Sequence, residues 1–387
     1  MKLLIIADDL TGTMDTAVQF AKAGADTAAM LRPQGDVPMC EVLSVNTGTR
    51  HLTPDEAYRC ITRLLAQYPS TVRVYLKTDS VLRGNISAMF AAVLDSGRNP
   101  IMFAPAYPKA GRTTLNGRQY LEGLPLEQSA FSKDPLNAMK TSNVNELLNK
   151  SHEVLCRNIP VGGQAFPSGV SIFDCETQEE LYAIADRLAE QGQLKTTSGC
   201  AGFAEALARE FSGGGNAGFV PTNSPVLFLS GSANSITFKQ LEHARASGME
   251  LVVIPNELKL AQNPNLDKLI AKLRSVLAEG RSVILATAAS EKDLIQLTED
   301  EHARLQKLFA RVTAALSPLL YNLAVFGGDT ALAVLDELEI STVKLICEIQ
   351  TGVPLCKAGN LVLVTKSGGL GGTDAALEIE KYLRYGN

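Results

Sequence analysis

The chain alternates short apolar runs of strand length with longer stretches whose apolar positions recur at helical spacing. The first run, 2–7, breaks into Asp8-Asp9-Leu10-Thr11-Gly12. Helical spacing begins at Thr13, with Gly24 placed to end that helix as a C-cap. Further strands are predicted at 41–46, 72–76, 101–104 and 170–174. Thr53-Pro54-Asp55-Glu56 and Thr177-Gln178-Glu179-Glu180 read as helix starts, each a hydroxyl N-cap with a glutamate set to close a capping box. A short helix is read at 145–148 in a weakly periodic stretch, and 197–203 enters another helix. After SGGGNAGFVPTNSP at 212–225, a linker with little to pack, the alternation starts again. Strands are expected there at 226–229, 251–254, 282–286, 323–326, 344–347 and 361–365, with helices ending near 246 and covering 266–278 and 302–316.

This layering predicts an α/β protein of two domains, 1–218 and 219–387, each a mainly parallel sheet with flanking helices. The length of 387 residues agrees, being too great for one ordinary core. Hydrophobic residues at 45% and charged residues at 20% fit a soluble globular chain. The net charge of -5, with no block of Lys and Arg, argues against a nucleic-acid partner. No run is long enough for a membrane span or a signal-peptide core. The seven cysteines are scattered without C-x-x-C spacing and the four histidines do not cluster, which fits reduced thiols in the cytoplasm and no protein metal site.

In open parallel sheets, ligand groups gather where strand ends meet helix N-termini. Asp8 and Asp9 occupy such a place. One of them suffices as an N-cap; the pair, with Asp15 one turn into the helix, points to a ligand site as well. Arg50 follows the second strand, in a loop where a solvated arginine is the plain alternative. Lys77-Thr78-Asp79-Ser80, with Arg83 and Asn85 just beyond, offers cations, a carboxylate and hydroxyls that suit a small polyhydroxy acid. Arg112 lies in a Pro- and Gly-shaped loop after 101–104. In the second half, Ser230-Gly231-Ser232, Gly327-Gly328-Asp329-Thr330 and the loop from Lys366 through Gly368, Gly369 and Asp374 each follow a strand. Glycine-flanked amides at helix starts, with Lys366 adding a charge, suit nucleotide phosphates. None of the three matches a P-loop or dinucleotide fingerprint.

The runs ADDLTGTMD and KTDS-x-LRGN, then the SGS, GGDT and TKSGGLG loops in that order, resemble the motifs of the four-carbon acid sugar kinase family. Asp329 stands where glutamate is frequent and Leu370 where phenylalanine is frequent. Ser198-Gly199-Cys200 departs from the usual GSAGLA, and Glu348 with Gly352-Val353-Pro354 resembles the remaining segment. The resemblance implies ATP-dependent phosphorylation of the terminal hydroxyl of D-threonate, D-erythronate or 3-oxo-tetronate, in a cleft between the domains. On this expectation Asp9 is the base, with similar claims from Asp15 and Asp79, and Arg50 and Lys77 hold the substrate carboxylate. Thr78, Asp79 and Ser80 complete the acid set, with Arg83 and Arg112 as second choices, the plain alternative for Arg112 being a shaped surface loop. Ser230, Gly327, Gly328, Asp329, Thr330, Lys366, Gly368 and Gly369 form the nucleotide site, with Mg²⁺ carried between phosphates. The partners expected are a small sugar acid and ATP, neither nucleic acid nor membrane, with a homo-oligomer compatible. An oxidoreductase would need a dinucleotide fingerprint where ADDLTG stands, and a plain acid-binding protein would not need the glycine loops.

Overall fold

The computed structural model describes residues 1–133, 138–211 and 218–386. The chain divides into two compact units, Met1–Asn216 and Ala217–Asn387. Residues 212–217 of the expected linker lie outside the described residues.

In the N-terminal unit the strands are β1 (Leu3–Ala7), β2 (Thr27–Met30), β3 (Val42–Asn46), β4 (Arg73–Lys77), β5 (Ile101–Ala104), β6 (Arg112–Leu115), β7 (Arg118–Leu121), β8 (Leu124–Pro125), β9 (Cys156–Ile159), β10 (Val170–Phe173) and β11 (Thr196–Gly199). The helices are α1 (Leu10–Lys22), α2 (Pro54–Leu65), α3 (Ile86–Asp95), α4 (Val144–Leu148), α5 (Gln178–Glu190) and α6 (Ala201–Ala208). Among the described residues the main sheet runs β2-β3-β1-β4-β11-β5-β10-β9, with every pair parallel. Strands β6, β7 and β8 form a small antiparallel sheet of their own.

Successive residues of a strand face opposite sides, so a strand covered on both sides reads as unbroken apolar sequence. In β1, Leu4 and Ile6 pack with Ile61 of α2 and Met89 of α3. Leu3 and Ile5 pack on the other face with Phe20 of α1, Leu181 of α5 and Phe203 of α6. Both predicted capping boxes are present, at Thr53 with Glu56 and at Thr177 with Glu180.

β11 is the central strand that periodicity did not reveal, because its sequence is Thr-Thr-Ser-Gly. Its hydroxyls are buried yet satisfied by the neighbouring strand: Ser198 Oγ donates to the Leu76 carbonyl at 2.7 Å and Thr197 Oγ1 to that of Val74 at 3.5 Å.

The C-terminal unit contains β12 (Val226–Ser230), α7 (Ser235–Ala246), β13 (Glu250–Val253), α8 (Asn256–Leu260), α9 (Asp267–Ala278), β14 (Val283–Ala286), α10 (Glu299–Leu316), β15 (Asn322–Phe326), α11 (Gly328–Glu337), β16 (Thr342–Gln350), β17 (Val353–Ala358), β18 (Leu361–Lys366) and α12 (Ala375–Tyr385). Its strands run β13-β14-β12-β15-β18-β17-β16. The first five are parallel, and β17 is antiparallel to both neighbours. The expected strand at 344–347 is thus the middle of a longer one that turns back as a hairpin. Among the described residues no helix is long and apolar enough to cross a membrane.

Replacing Thr177 by alanine removes the capping box of α5. The expected cost is about 1 kcal/mol of stability, read by urea unfolding.

Candidate functional site

In the N-terminal unit the sheet register brings five strand ends level. Ala7 pairs with Asn46 and Lys77, and Gly199 pairs with Lys77 and Ala104. The loops that follow therefore open along one edge, carrying Asp8 and Asp9, Arg50, Thr78 to Arg83, Cys200, and Pro105 to Arg112.

Arg50 binds three of these loops together. Its Nε and Nη2 donate to the two oxygens of Asp8 at 2.9 and 2.8 Å, its Nη1 donates to Asp9 Oδ2, and Asp79 lies 3.6 Å away. Burial alone would lower the Arg50 pKa, but Asp8, Asp9 and Asp79 outweigh it and hold that pKa well above its ordinary value. Asp9 is fixed at its other oxygen too, since Oδ1 accepts the Gly12 N–H at 2.8 Å and caps α1. Gly12 is required by close approach: a Cβ there would stand 2.7 Å from Asp9 Oδ1 and 2.9 Å from Lys77 Nζ.

Asp79 accepts from Arg83 Nη2 at 2.8 Å and Nε at 3.1 Å. Burial pushes its pKa up, but Arg83 and Arg50 hold it well below the usual carboxylate range. Lys77 is buried, donates to the Thr78 carbonyl at 2.9 Å and faces Asp15 at 3.8 Å. Burial works against its charge, yet Asp15 and Asp9 carry its pKa above the ordinary lysine value.

Arg112 differs from these cations. Its Nη1 donates to the Ala110 carbonyl, its Nε is buried without a partner, and among the described residues no carboxylate is within ion-pair reach. Burial lowers its pKa, with Asp79 and Glu122 countering only in part. Thr78 Oγ1 is likewise buried and unpaired. Such orphans are uncommon in native proteins and mark places where a ligand or water completes the bonding.

The C-terminal unit repeats the device. Ser230 pairs with Ala286 and Phe326, and Phe326 with Lys366, so the three glycine loops leave one level edge. They touch each other: a Cβ on Gly231 would fall 2.1 Å from Thr330 Oγ1, which only glycine permits. Gly328, Asp329 and Thr330 form the first turn of α11. Ser230 Oγ is buried and unpaired. Lys366 is 1% exposed; its Nζ donates to the carbonyls of Ser367 at 2.8 Å and Leu370 at 3.0 Å, 4.7 Å from the Phe326 ring centroid. Among the described residues it has no carboxylate partner, and burial pulls its pKa down to about 7.

Two family models match this chain in order, a sugar-binding N-terminal domain over residues 3–207 and a nucleotide-binding C-terminal domain over residues 227–376. The chain belongs to the four-carbon acid sugar kinase family. It is accordingly a phosphotransferase. Similar proteins include the D-threonate kinase of Salmonella typhimurium, 29% identical over 99% of this chain and 98% of the relative. The D-threonate kinase of Bordetella bronchiseptica is 31% identical over 98% and 97%. The D-erythronate kinase of Heliobacterium modesticaldum is 28% identical over 98% and 97%. A solved Haemophilus influenzae protein shares the fold with a TM-score of 0.77 at 21% identity, covering 98% of this chain and all (100%) of that one.

In the sugar-binding domain of this kinase the structure gathers Asp9, Arg50, Lys77, Thr78, Asp79, Ser80, Arg83 and Arg112 at one edge. In its nucleotide-binding domain it gathers Ser230, Gly327 to Thr330, Lys366, Gly368 and Gly369. It also adds residues outside the set read from sequence. Asp8 is the main partner of Arg50. Gln119, wholly buried in β7, donates to the carbonyls of Ser80 at 3.2 Å and Pro105 at 3.3 Å, tying the Lys77 loop to the Arg112 loop. The doubled aspartate was a signal for Asp8; nothing local marks Gln119, whose partners are brought to it by the sheet.

Asp8→Ala removes the acceptors of Arg50 Nε and Nη2 while Asp9 keeps Nη1, and the expected loss is about 1–3 kcal/mol, read by urea unfolding. Lys366 gives a pH signature. Its folded-state pKa is depressed from 10.5 to about 7, so between those values the unfolded chain binds the extra proton and stability rises with pH. Wild type should therefore gain stability relative to Lys366→Met as pH climbs from 7 to 10.5, measured by thermal unfolding across that range.

Proposed function

We propose that the chain is an ATP-dependent kinase for the terminal 4-hydroxyl of a four-carbon sugar acid, D-threonate before D-erythronate or 3-oxo-tetronate. The observation that carries this reading is the cation left over in the acid cluster. Arg50, Lys77 and Arg83 already pair with carboxylates of this chain, whereas Arg112 has none within ion-pair reach among the described residues. An incoming carboxylate would complete Arg112, with Thr78 and Ser80 serving the hydroxyls. Arg50, given to the carboxylate in the reading from sequence, instead serves to hold Asp9. Likeness to D-threonate kinases at 29–31% identity supports the order of substrates.

Phosphoryl transfer asks mainly for alignment and for neutralisation of the moving charge. Asp9, held at both oxygens, keeps further lone pairs with which to accept the 4-hydroxyl proton and aim its oxygen. On the other side, Ser230, the amides of Gly327 to Thr330 and of Gly368 and Gly369, and the charge of Lys366 would receive the phosphates. In-line transfer needs both ligands together, so the reaction is assigned to a cleft between a domain of 1–218 and one of 219–387. Among the described residues no group of three or more His, Cys, Asp or Glu side chains is placed to hold a metal ion. In this reading Mg²⁺ would enter with the nucleotide phosphates, and no step is assigned to it.

The test is coupled ADP release across a panel of four-carbon acids. D-threonate should give the highest kcat/KM; no release with any member overturns the proposal. In the same assay Asp9→Asn should cut kcat by about 10²-fold or more, and Arg112→Ala should act chiefly by raising KM for the acid.

A further inference from the structure

The buried stripe of α7 contains a residue that does not belong to an apolar face. Thr237, Gln240, Leu241 and Ala244 recur at helical spacing and are all buried, and Gln240 is 0% exposed. A glutamine there has to find hydrogen bonds or cost stability. Its Nε2 finds them in one place, the glycine loop after β18: it lies 3.1 Å from the Leu370 carbonyl, 3.1 Å from that of Gly371 and 2.9 Å from that of Gly372. Its Oε1 is buried with no partner among the described residues. The loop is therefore the side chain's whole hydrogen-bonding purpose, since a methionine or leucine would fill the same space without an orphaned oxygen.

Neighbouring groups grip the same loop from the same side. Thr237 Oγ1, one turn earlier on α7, donates to the Gly368 carbonyl at 2.9 Å, and Lys366 Nζ donates to those of Ser367 and Leu370. The carbonyl oxygens of a glycine-rich segment are thus bound by side chains from behind. A peptide unit whose C=O is held on one side directs its N–H to the other, which is how consecutive amides form an anion-binding concavity. Glycine cannot hold such a shape unaided, because it populates many backbone conformations.

We infer that Gln240 is a positioning residue of the nucleotide site. By donating its two N–H groups among the carbonyls at 370–372 it fixes the glycine loop so that the amides of Gly368, Gly369 and Gly371 meet the nucleotide phosphates in a preformed arrangement, that of Gly372 being bonded to Gln350 Oε1 at 3.0 Å. Gln240 touches no reacting atom, and its effect is exerted through the loop. This rests on the nucleotide reading of the loop given above, and deepens it by naming what shapes the phosphate cradle.

The experiment compares wild type with Gln240→Met, which keeps the volume and removes the amide, and with Gln240→Glu, which turns the donor into an acceptor facing carbonyls. Direct ATP binding is measured by equilibrium dialysis, kinetics by the coupled assay, and folding by unliganded thermal unfolding. Gln240→Met should keep or raise the unfolding temperature, because the orphaned oxygen is gone. Its Kd and KM for ATP should rise about tenfold or more, with KM for the acid unchanged; a residue of merely structural importance would lower the unfolding temperature and leave that split absent. Gln240→Glu should weaken ATP further. Unchanged ATP affinity in a folded Gln240→Met protein overturns the inference while leaving the kinase reading intact. Failure of the wild type itself to bind ATP overturns both.

Discussion

One guanidinium, that of Arg50, is the fastening on which the acid side depends. It draws Asp8 and Asp9 from the end of β1 and Asp79 from the end of β4 onto a single planar fork. A charge so deeply buried is tolerable only when paired and hydrogen-bonded, and the pairing reinforces the backbone bond between the Arg50 and Asp8 loops, from the Arg50 N–H to the Asp8 carbonyl at 3.3 Å, while reaching the Asp79 loop as well. The fork geometry of arginine matters here, because a lysine could not meet Asp8 through two parallel bonds while reaching Asp9 with a third nitrogen. With Asp9 also capping α1, the candidate base is immobilised by a helix terminus on one oxygen and an arginine on the other.

The two units treat charge in opposite ways. In the sugar-binding domain, cations and carboxylates at the edge neutralise each other, and Arg112 is left without a carboxylate in ion-pair reach among the described residues; in the proposed reading a small acid meets it there, with hydroxyls beside it. Affinity for an ion of one charge needs little more. The nucleotide-binding domain buries Lys366 beside carbonyls and a ring, with no carboxylate partner among the described residues. A cation so placed is costly until an anion reaches it; in the proposed reading the nucleotide phosphates are that anion. Both domains obtain their geometry the same way, from parallel strands whose ends the ladder keeps level.

Glutamine has a matching part in each unit. Gln119 reaches the carbonyls of Ser80 and Pro105, and Gln240 reaches those of the glycine loop. Each uses a neutral donor to hold backbone in place without adding charge to a site where charge is already allotted. Loops rich in glycine and proline lack the side chains to pack themselves, and buried amides supply that constraint from neighbouring elements.

What sequence alone determined were the features whose causes are local. Capping boxes at Thr53 and Thr177 need only residues three apart, and strands buried on both faces announce themselves as apolar runs. The motif-bearing loops were found because a strand end, a turn and a helix start are adjacent in the chain. Tertiary structure decided the rest, because the partners are distant. β11 is central although its sequence is polar, since its hydroxyls bond to carbonyls of β4, 122 to 123 residues away. Gln240 finds its acceptors 130 to 132 residues further on. Arg50 could be recognised in sequence as a loop cation, but whether it was free for a substrate depended on Asp8 and Asp9, 42 and 41 residues before it. Periodicity reports which face of an element is buried; only the fold reports what that face meets, and for a polar group that meeting sets both its cost and its use.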